Sequence, residues 1–258
     1  MKTLGNLTTQ LQEPRIAECS VHGEFESKNY LGSIWSTCPG CAADKKAEEE
    51  KAAAEKEKIN AQLRWIATVG AACIPERFQD RTLKNFIAET PAQQNALQFA
   101  VNYANTFDEA IKTGRSAVFA GKPGTGKTHL AAGIALRLMH RDKRTVFFTT
   151  VRKAIGRVKA TWNRDSSETE QEAIKALTTP DLLILDEVGV QFGTDTEKLI
   201  MFDIINERYE TRRPTILLSN LAIDDIKTYL GERIADRLRE DGGDFIIFDW
   251  ESHRGKSA

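Results

Sequence analysis

The 258-residue chain is 41% hydrophobic and 28% charged, which excludes fibrous and wholly disordered classes and leaves room for one sizeable α/β core plus an appendage. No apolar run approaches the roughly 20 residues that cross a bilayer, and the opening Met-Lys-Thr-Leu-Gly-Asn lacks the apolar region of a secretory signal, so a cytoplasmic protein with no membrane contact is expected. A formal net charge of −1 offers no global attraction for nucleic acid, so any such contact must come from a local basic surface.

In chain order, residues 1–18 are polar and read as a lead-in without regular structure. Two close pairs follow, Cys19-x2-His22 and Cys38-x2-Cys41. Zinc takes four N or S ligands tetrahedrally, and two pairs on facing turns supply Cys19, His22, Cys38 and Cys41 as a closed, structural Cys3His site. Four unrelated side chains are the alternative. Cys73 lies outside both pairs in an apolar stretch and reads as a packed thiol. The zinc module is expected over 1–43. Residues 44–58 are rich in Ala, Glu and Lys with mixed charge at i, i+4, which predicts a solvated helix continuing toward Leu63, Trp65, Ile66 and Val69. That linker, 44–73, ends where small residues and Pro75 interrupt it.

A larger domain is expected over 74–258. It opens with an extended lead over 74–86 and one amphipathic helix over 91–113, with Ala96, Leu97, Ala100, Val101, Ala104 and Phe107 inward. A short strand, 116–120, precedes Gly121-Lys122-Pro123-Gly124-Thr125-Gly126-Lys127-Thr128, and a helix, 129–140, follows it. The eight residues fit G-x-x-x-x-G-K-[ST], the loop whose backbone N–H groups wrap nucleotide phosphates while its lysine reaches the β- and γ-phosphates and its hydroxyl meets Mg²⁺. Placement between strand and helix N-terminus supports the motif. Gly121, Pro123, Gly124, Thr125, Gly126, Lys127, Thr128 and His129 are therefore the candidate ATP-binding residues.

Strands are further expected at 145–149, 181–185, 215–219 and 245–248. Between them lie a basic helix (152–164), a polar, acidic segment (166–177), a helix (197–212) and a broken helical region (223–240). Strands alternating with helices predict a parallel sheet with ligands at the strand C-terminal ends. Leu182-Leu-Ile-Leu-Asp186-Glu187 puts two carboxylates at such an end, where burial without a partner is costly. Asp186 is expected to hold Mg²⁺ through water together with Thr128, and Glu187 to polarise an attacking water. Asn220, at the end of the next strand, could reach the γ-phosphate or that water; an Asn that starts a turn is the alternative. Arg233 and Arg237 share one helix face, and either serves a neighbouring subunit's nucleotide or pairs with Glu232, Asp236 and Glu240. Arg254 is a candidate contact for the subunit's own nucleotide.

Together these residues resemble the AAA+ ATPases of the DnaC family, the bacterial and phage replicative helicase loaders, with the transposition helper IstB as close relative. The resemblance covers 74–254 and rests on G-K-P-G-T-G-K-T-H-L-A, L-L-I-L-D-E, L-L-S-N, L-G-E-R-I-A-D-R-L and I-I-F-D-W-E-S-H-R. It implies a P-loop α/β fold with a five-stranded parallel sheet in the order 5-1-4-3-2, and roles for Asn220 as sensor 1, Arg237 as the trans-acting finger with Arg233 beside it, and Arg254 as sensor 2. Only about ten residues follow the last strand, so the helical lid of most AAA+ proteins must be reduced. The resemblance further implies a Mg²⁺-dependent ATPase that assembles into a spiral or hexamer, contacts single-stranded DNA, and docks a DnaB-type helicase through its N-terminal module. Phe147, Phe148, Arg152, Lys153, Arg157 and Lys159 are the candidate DNA contacts, although two phenylalanines in a strand also suit a core. The N-terminus is where the chain departs most from the cellular loader, which points to a phage or prophage protein. An IstB-like helper acting on duplex DNA with a transposase is the alternative function.

Overall fold

The computed structural model describes residues 13–30, 33–189 and 194–253. The chain divides into two compact units, Met1–Arg64 and Trp65–Ala258. Among the described residues no helix is long and apolar enough to cross a membrane.

The first unit begins with an antiparallel hairpin of β1 (Arg15–Cys19) and β2 (Gly23–Ser27), with Cys19 opposite Gly23. Residues 15–18 are thus strand and not unstructured lead-in. Their hydrophobic pattern gave no signal because Ile16 points to solvent, 75% exposed, so the strand has no apolar face to read. A two-stranded sheet without a core is marginal alone. The helix α1 (Pro39–Ala71) starts inside the second Cys pair, with Pro39 in the first turn where a missing N–H costs nothing. The expected i, i+4 ion pairs form, including Lys45–Glu49 and Lys46–Glu50.

In the second unit, α2 (Pro91–Asn105) starts at a capping box of Thr90 and Gln93, and α3 (Phe107–Thr113) ends at Gly114 in the left-handed conformation. The single helix expected over 91–113 is broken at Thr106 (φ −105°, ψ 24°), where the chain turns to bury Phe107 in the core. Then follow β3 (Ala117–Gly121), α4 (Lys127–Arg141), β4 (Val146–Thr150), α5 (Val151–Ala160), α6 (Glu170–Thr178), β5 (Leu182–Val188), α7 (Asp195–Glu210), β6 (Thr215–Ser219), α8 (Ile223–Leu230), α9 (Glu232–Arg239) and β7 (Asp244–Phe248). The polar stretch 166–177 yields α6 because Thr169 and Glu172 make a second capping box and Ala173 and Leu177 face inward.

All five strands of the main sheet run parallel in the order β4-β5-β6-β3-β7. Numbered within this sheet alone, that is 2-3-4-1-5, the expected order met from the opposite edge. Successive strand residues feed opposite faces. Phe119, Ile184, Leu218 and Phe248 pack on α2 and α4, whereas Val118, Leu183, Leu185 and Leu217 pack on α5, α7, α8 and α9. The result is a three-layer α/β/α sandwich whose strand C-terminal ends converge on one rim.

Candidate nucleotide and metal sites

At that rim β3 runs into the loop 121–128. Gly121 has φ 132°, and a Cβ there would lie 2.2 Å from the Phe248 carbonyl oxygen, so no side chain is tolerated where β3 and β7 meet. Gly124 and Gly126 are left-handed as well, at φ 76° and 96°. This curls the loop so that α4 starts at Lys127 with its first-turn N–H groups and positive dipole end at the loop. Lys127 is 6% exposed, and its ammonium donates to the Gly121 and Lys122 carbonyls at 2.7 and 2.6 Å. Thr125, fully buried, donates to the Lys122 carbonyl.

The Thr128 hydroxyl donates to Asp186 Oδ2 at 3.1 Å, bringing together two residues 58 apart in sequence. Burial pushes the Asp186 carboxyl above its ordinary pKa, against hydrogen bonds from the Glu187 amide and from Thr128. The β5–β6 ladder bulges between Leu185 and Val188, and Glu187 sits there at φ 61°, exposed. A left-handed glutamate costs about 1–2 kcal/mol, a strain typical of functional rims. The bulge aims Asp186 at the loop and leaves Glu187 toward solvent. Ser219, paired with Ala120 of β3, donates to the Val188 carbonyl and accepts from the Leu221 amide, so Asn220 projects exposed from the same rim.

His129, grouped with the nucleotide contacts on sequence, is turned elsewhere. Its Nε2 lies 3.0 Å from both the Thr82 carbonyl and Asn85 Oδ1, and its ring packs edge-on to Phe86. Burial lowers its pKa. Its side chain fastens the 82–86 segment to α4 as a brace and is not turned to the phosphate loop. Arg237 lies over the rings of Phe202 and Tyr209 of α7, at 4.8 and 5.5 Å, while Arg233 one turn earlier is exposed. Both line a cleft of about 390 Å³ with Asp236 and Glu240. Arg254 lies outside the described residues.

The proposed DNA contacts separate by exposure. Phe148 is 2% exposed within the core and offers no face for stacking a base, a correction due to the inward turn of alternate strand residues. Phe147 is partly buried against the other core layer. On α5, Arg152 and Lys153 are exposed, but Arg157 bonds Glu168 through Nε and Lys159 bonds Glu197 at 2.6 Å.

In the N-terminal unit the ligand atoms of Cys19, His22, Cys38 and Cys41 all lie within 4.8 Å of one another. Cys19 Sγ is 3.4 Å from Cys41 Sγ and 3.9 Å from His22 Nδ1, and Cys41 Sγ is 3.5 Å from that nitrogen. These three separations lie near the edges of about 3.5–3.8 Å set by Zn–N and Zn–S bond lengths in a tetrahedron. The backbone N–H groups of Val21 and His22 hold the Cys19 thiol down to about 6, while its hydrogen bond with Cys19 pushes Cys41 up to about 11. Two thiols competing for one negative charge fit a site in which a cation lets both ionise. Asp44, not singled out on sequence, meets His22 Nε2 at 3.0 Å, the carboxylate partner that fixes a ligating imidazole. A Cβ on Gly40 would lie 2.6 Å from the His22 ring, so that glycine lets the ring approach the helix start.

Sequence inspection also missed Arg208, 1% exposed on α7. Its guanidinium donates to Thr215 Oγ1 and to the carbonyls of Leu177, Thr178, Pro180, Asp181 and Pro214, and burial pushes its pKa down to about 9. It ties α6, β5 and β6 together; charge in the last turn of a predicted helix was no signal of burial.

Compared with known families, residues 47–240 match the IstB-like ATP binding proteins. The replicative helicase loader DnaC of Escherichia coli strain K12 is 32% identical over 256 residues, covering 99% of this chain and 98% of the loader. DnaC of Buchnera aphidicola subsp. Schizaphis graminum is 31% identical over 240 residues, 93% of this chain and 92% of its own length. The likeness thus extends beyond 74–254 into the N-terminal unit. Among solved structures, the DnaC helicase loader superposes with a TM-score of 0.61 at 21% identity over 67% of this chain and 99% of that one. AMPPCP-bound DnaA from Aquifex aeolicus gives 0.56 at 20% identity over 67% and 51%. Both carry the fold. The chain belongs to the DnaC and IstB-like family of ATP-binding proteins.

Proposed function

We propose that this protein uses ATP to load a hexameric replicative helicase onto single-stranded DNA. The observation that carries the reading is the phosphate loop with Asp186 against Thr128, in a chain that parallels the DnaC loader over almost its whole length. Lys127 grips the β- and γ-phosphates, and the loop amides and Gly121, Pro123, Gly124, Thr125 and Gly126 cradle them. Thr128 and Asp186 would hold Mg²⁺, whose charge would offset that of the phosphates. Glu187 polarises the attacking water, Asn220 fixes it against the γ-phosphate, and Arg254 touches the same nucleotide. Arg237, with Arg233 beside it, comes from the next subunit of a spiral or hexamer and stabilises charge in the transition state. Because Arg237 is stacked on Phe202 and Tyr209, the more exposed Arg233 is the readier of the two to reach across.

DNA runs along Arg152 and Lys153; Arg157 and Lys159 join only by leaving Glu168 and Glu197. The zinc unit of 1–43, held by Cys19, His22, Cys38 and Cys41, docks a DnaB-type helicase, and 44–73 links it to the ATPase domain 74–258. The test is co-migration of the full chain with a hexameric replicative helicase, host or phage, plus ATPase activity stimulated by single-stranded DNA. Lys127→Ala is expected to abolish turnover. No complex with any such helicase would overturn the reading. The match to IstB-like proteins keeps one rival in view, a duplex-DNA filament working with a transposase, which filament formation without helicase binding would reveal.

A further inference from the structure

The chain after β7 folds back onto the phosphate loop. The Trp250 indole N–H donates to the Thr125 carbonyl at 3.0 Å, and the His253 amide donates to the Gly124 carbonyl at 3.0 Å. Nearer the strand, the Lys122 amide donates to the Phe248 carbonyl at 2.9 Å. Both ends of this strap are anchored in the core. The Trp250 ring lies 4.9 Å from Phe248, which is fully buried. The His253 imidazole lies 3.1 Å from Gln93 Nε2; Gln93 is 4% exposed and is itself fixed by the Glu89 and Thr90 amides.

In a trans peptide the N–H points opposite to the C=O, and no cis peptide occurs among the described residues. Holding the Gly124 carbonyl therefore turns the Thr125 amide to the far side of the loop, and holding the Thr125 carbonyl turns the Gly126 amide there too. Successive amides aimed one way make an anion-binding nest. The glycines on either side of Thr125 lower the cost of turning these peptide planes, and the tail's two bonds add to the buried Thr125 side chain in opposing that rotation.

We propose that Trp250 and the backbone amide of His253 are positioning residues that aim the Thr125 and Gly126 amides at nucleotide phosphates. This rests on the reading of 121–128 as the ATP site. It gives the segment 249–253 a task in nucleotide binding.

Calorimetric titration of the full chain with ADP, alongside steady-state ATPase assays, tests the assignment. Trp250→Phe keeps an aromatic ring against Phe248 and removes the donor together with the indole's second ring. It should weaken ADP about fivefold to tenfold and raise KM for ATP by a like factor with kcat unchanged, since the interaction is made equally in ground and transition states. The nucleotide-free protein should keep its wild-type circular dichroism spectrum, with its melting temperature lowered by no more than a few degrees. His253→Ala retains the amide but loses the Gln93 anchor and should weaken ADP only slightly, whereas His253→Pro lacks the donor and should bind distinctly more weakly. Wild-type affinity in both Trp250→Phe and His253→Pro, with Lys127→Ala weakened, overturns the proposal. Equal losses in His253→Ala and His253→Pro also overturn the role given to the amide. A Lys127→Ala protein that binds ADP normally would instead bring down the nucleotide reading itself.

Discussion

Asp186 shows how one residue trades stability for chemistry. Burial raises its pKa above the unfolded value, so the carboxyl favours folding most when protonated; that contribution is full below the unfolded pKa and is lost as pH rises through the folded one. Asp186→Asn should therefore raise the melting temperature at neutral pH in magnesium-free buffer, with the gain shrinking as pH falls and vanishing below about 4, where both states become protonated. The same change should cut hydrolysis by about a hundredfold or more. Thermal denaturation across pH, read beside phosphate release, checks both. Arg208 is the opposite case, a buried charge satisfied on every side by carbonyls from three elements. Arg208→Ala should cost about 3–5 kcal/mol by orphaning those acceptors and opening a cavity; a shifted urea midpoint measures it.

At the scale of elements, the phosphate loop depends on glycines at two close approaches. Gly121→Ala places a methyl 2.2 Å from the Phe248 carbonyl oxygen at a left-handed φ, so the ends of β3 and β7 must part. A loss of about 2 kcal/mol or more, with nucleotide binding impaired, is expected in a denaturation series with and without ATP. The β1–β2 hairpin has a different dependence, since its apolar side chains are largely exposed and its four candidate ligands are its main organiser. Cys38→Ser should lower zinc content as read by atomic absorption and make residues 13–38 sensitive to protease. The melting of the ATPase unit should stay where it is. An unchanged proteolysis pattern after zinc removal would show that the hairpin holds itself.

For the whole molecule, the decisive question is whether a nucleotide is shared between subunits. Arg233→Ala and Arg237→Ala together remove the finger, and Lys127→Ala removes the loop's grip; each protein should be inactive alone. Mixed in equal amounts, about a quarter of interfaces in a cyclic or spiral assembly regain both parts, so DNA-stimulated turnover should return to about that fraction. Failure to recover any turnover, with both proteins folded and assembling, would rule out a shared pocket.

The sequence alone determined the phosphate-loop motif, the acidic pair, the alternation of strands with helices and the four members of the Cys/His cluster. Each is a short-range pattern whose chemistry depends on residue type and spacing, and a parallel sheet follows from the crossover connections. What lay across the chain was decided only by tertiary structure. The tail's grip on Gly124 and Thr125, the bracing role of His129, the burial of Phe148 and Arg208, and the carboxylate of Asp44 behind His22 all pair residues whose local sequence carries no sign of the partner. The hairpin over 15–27 escaped for a related reason, because it is built by backbone pairing beside the Cys/His cluster while hydrophobic periodicity is absent. Packing selects one use among several that a side chain's chemistry allows, and that selection is made by neighbours brought from far along the chain.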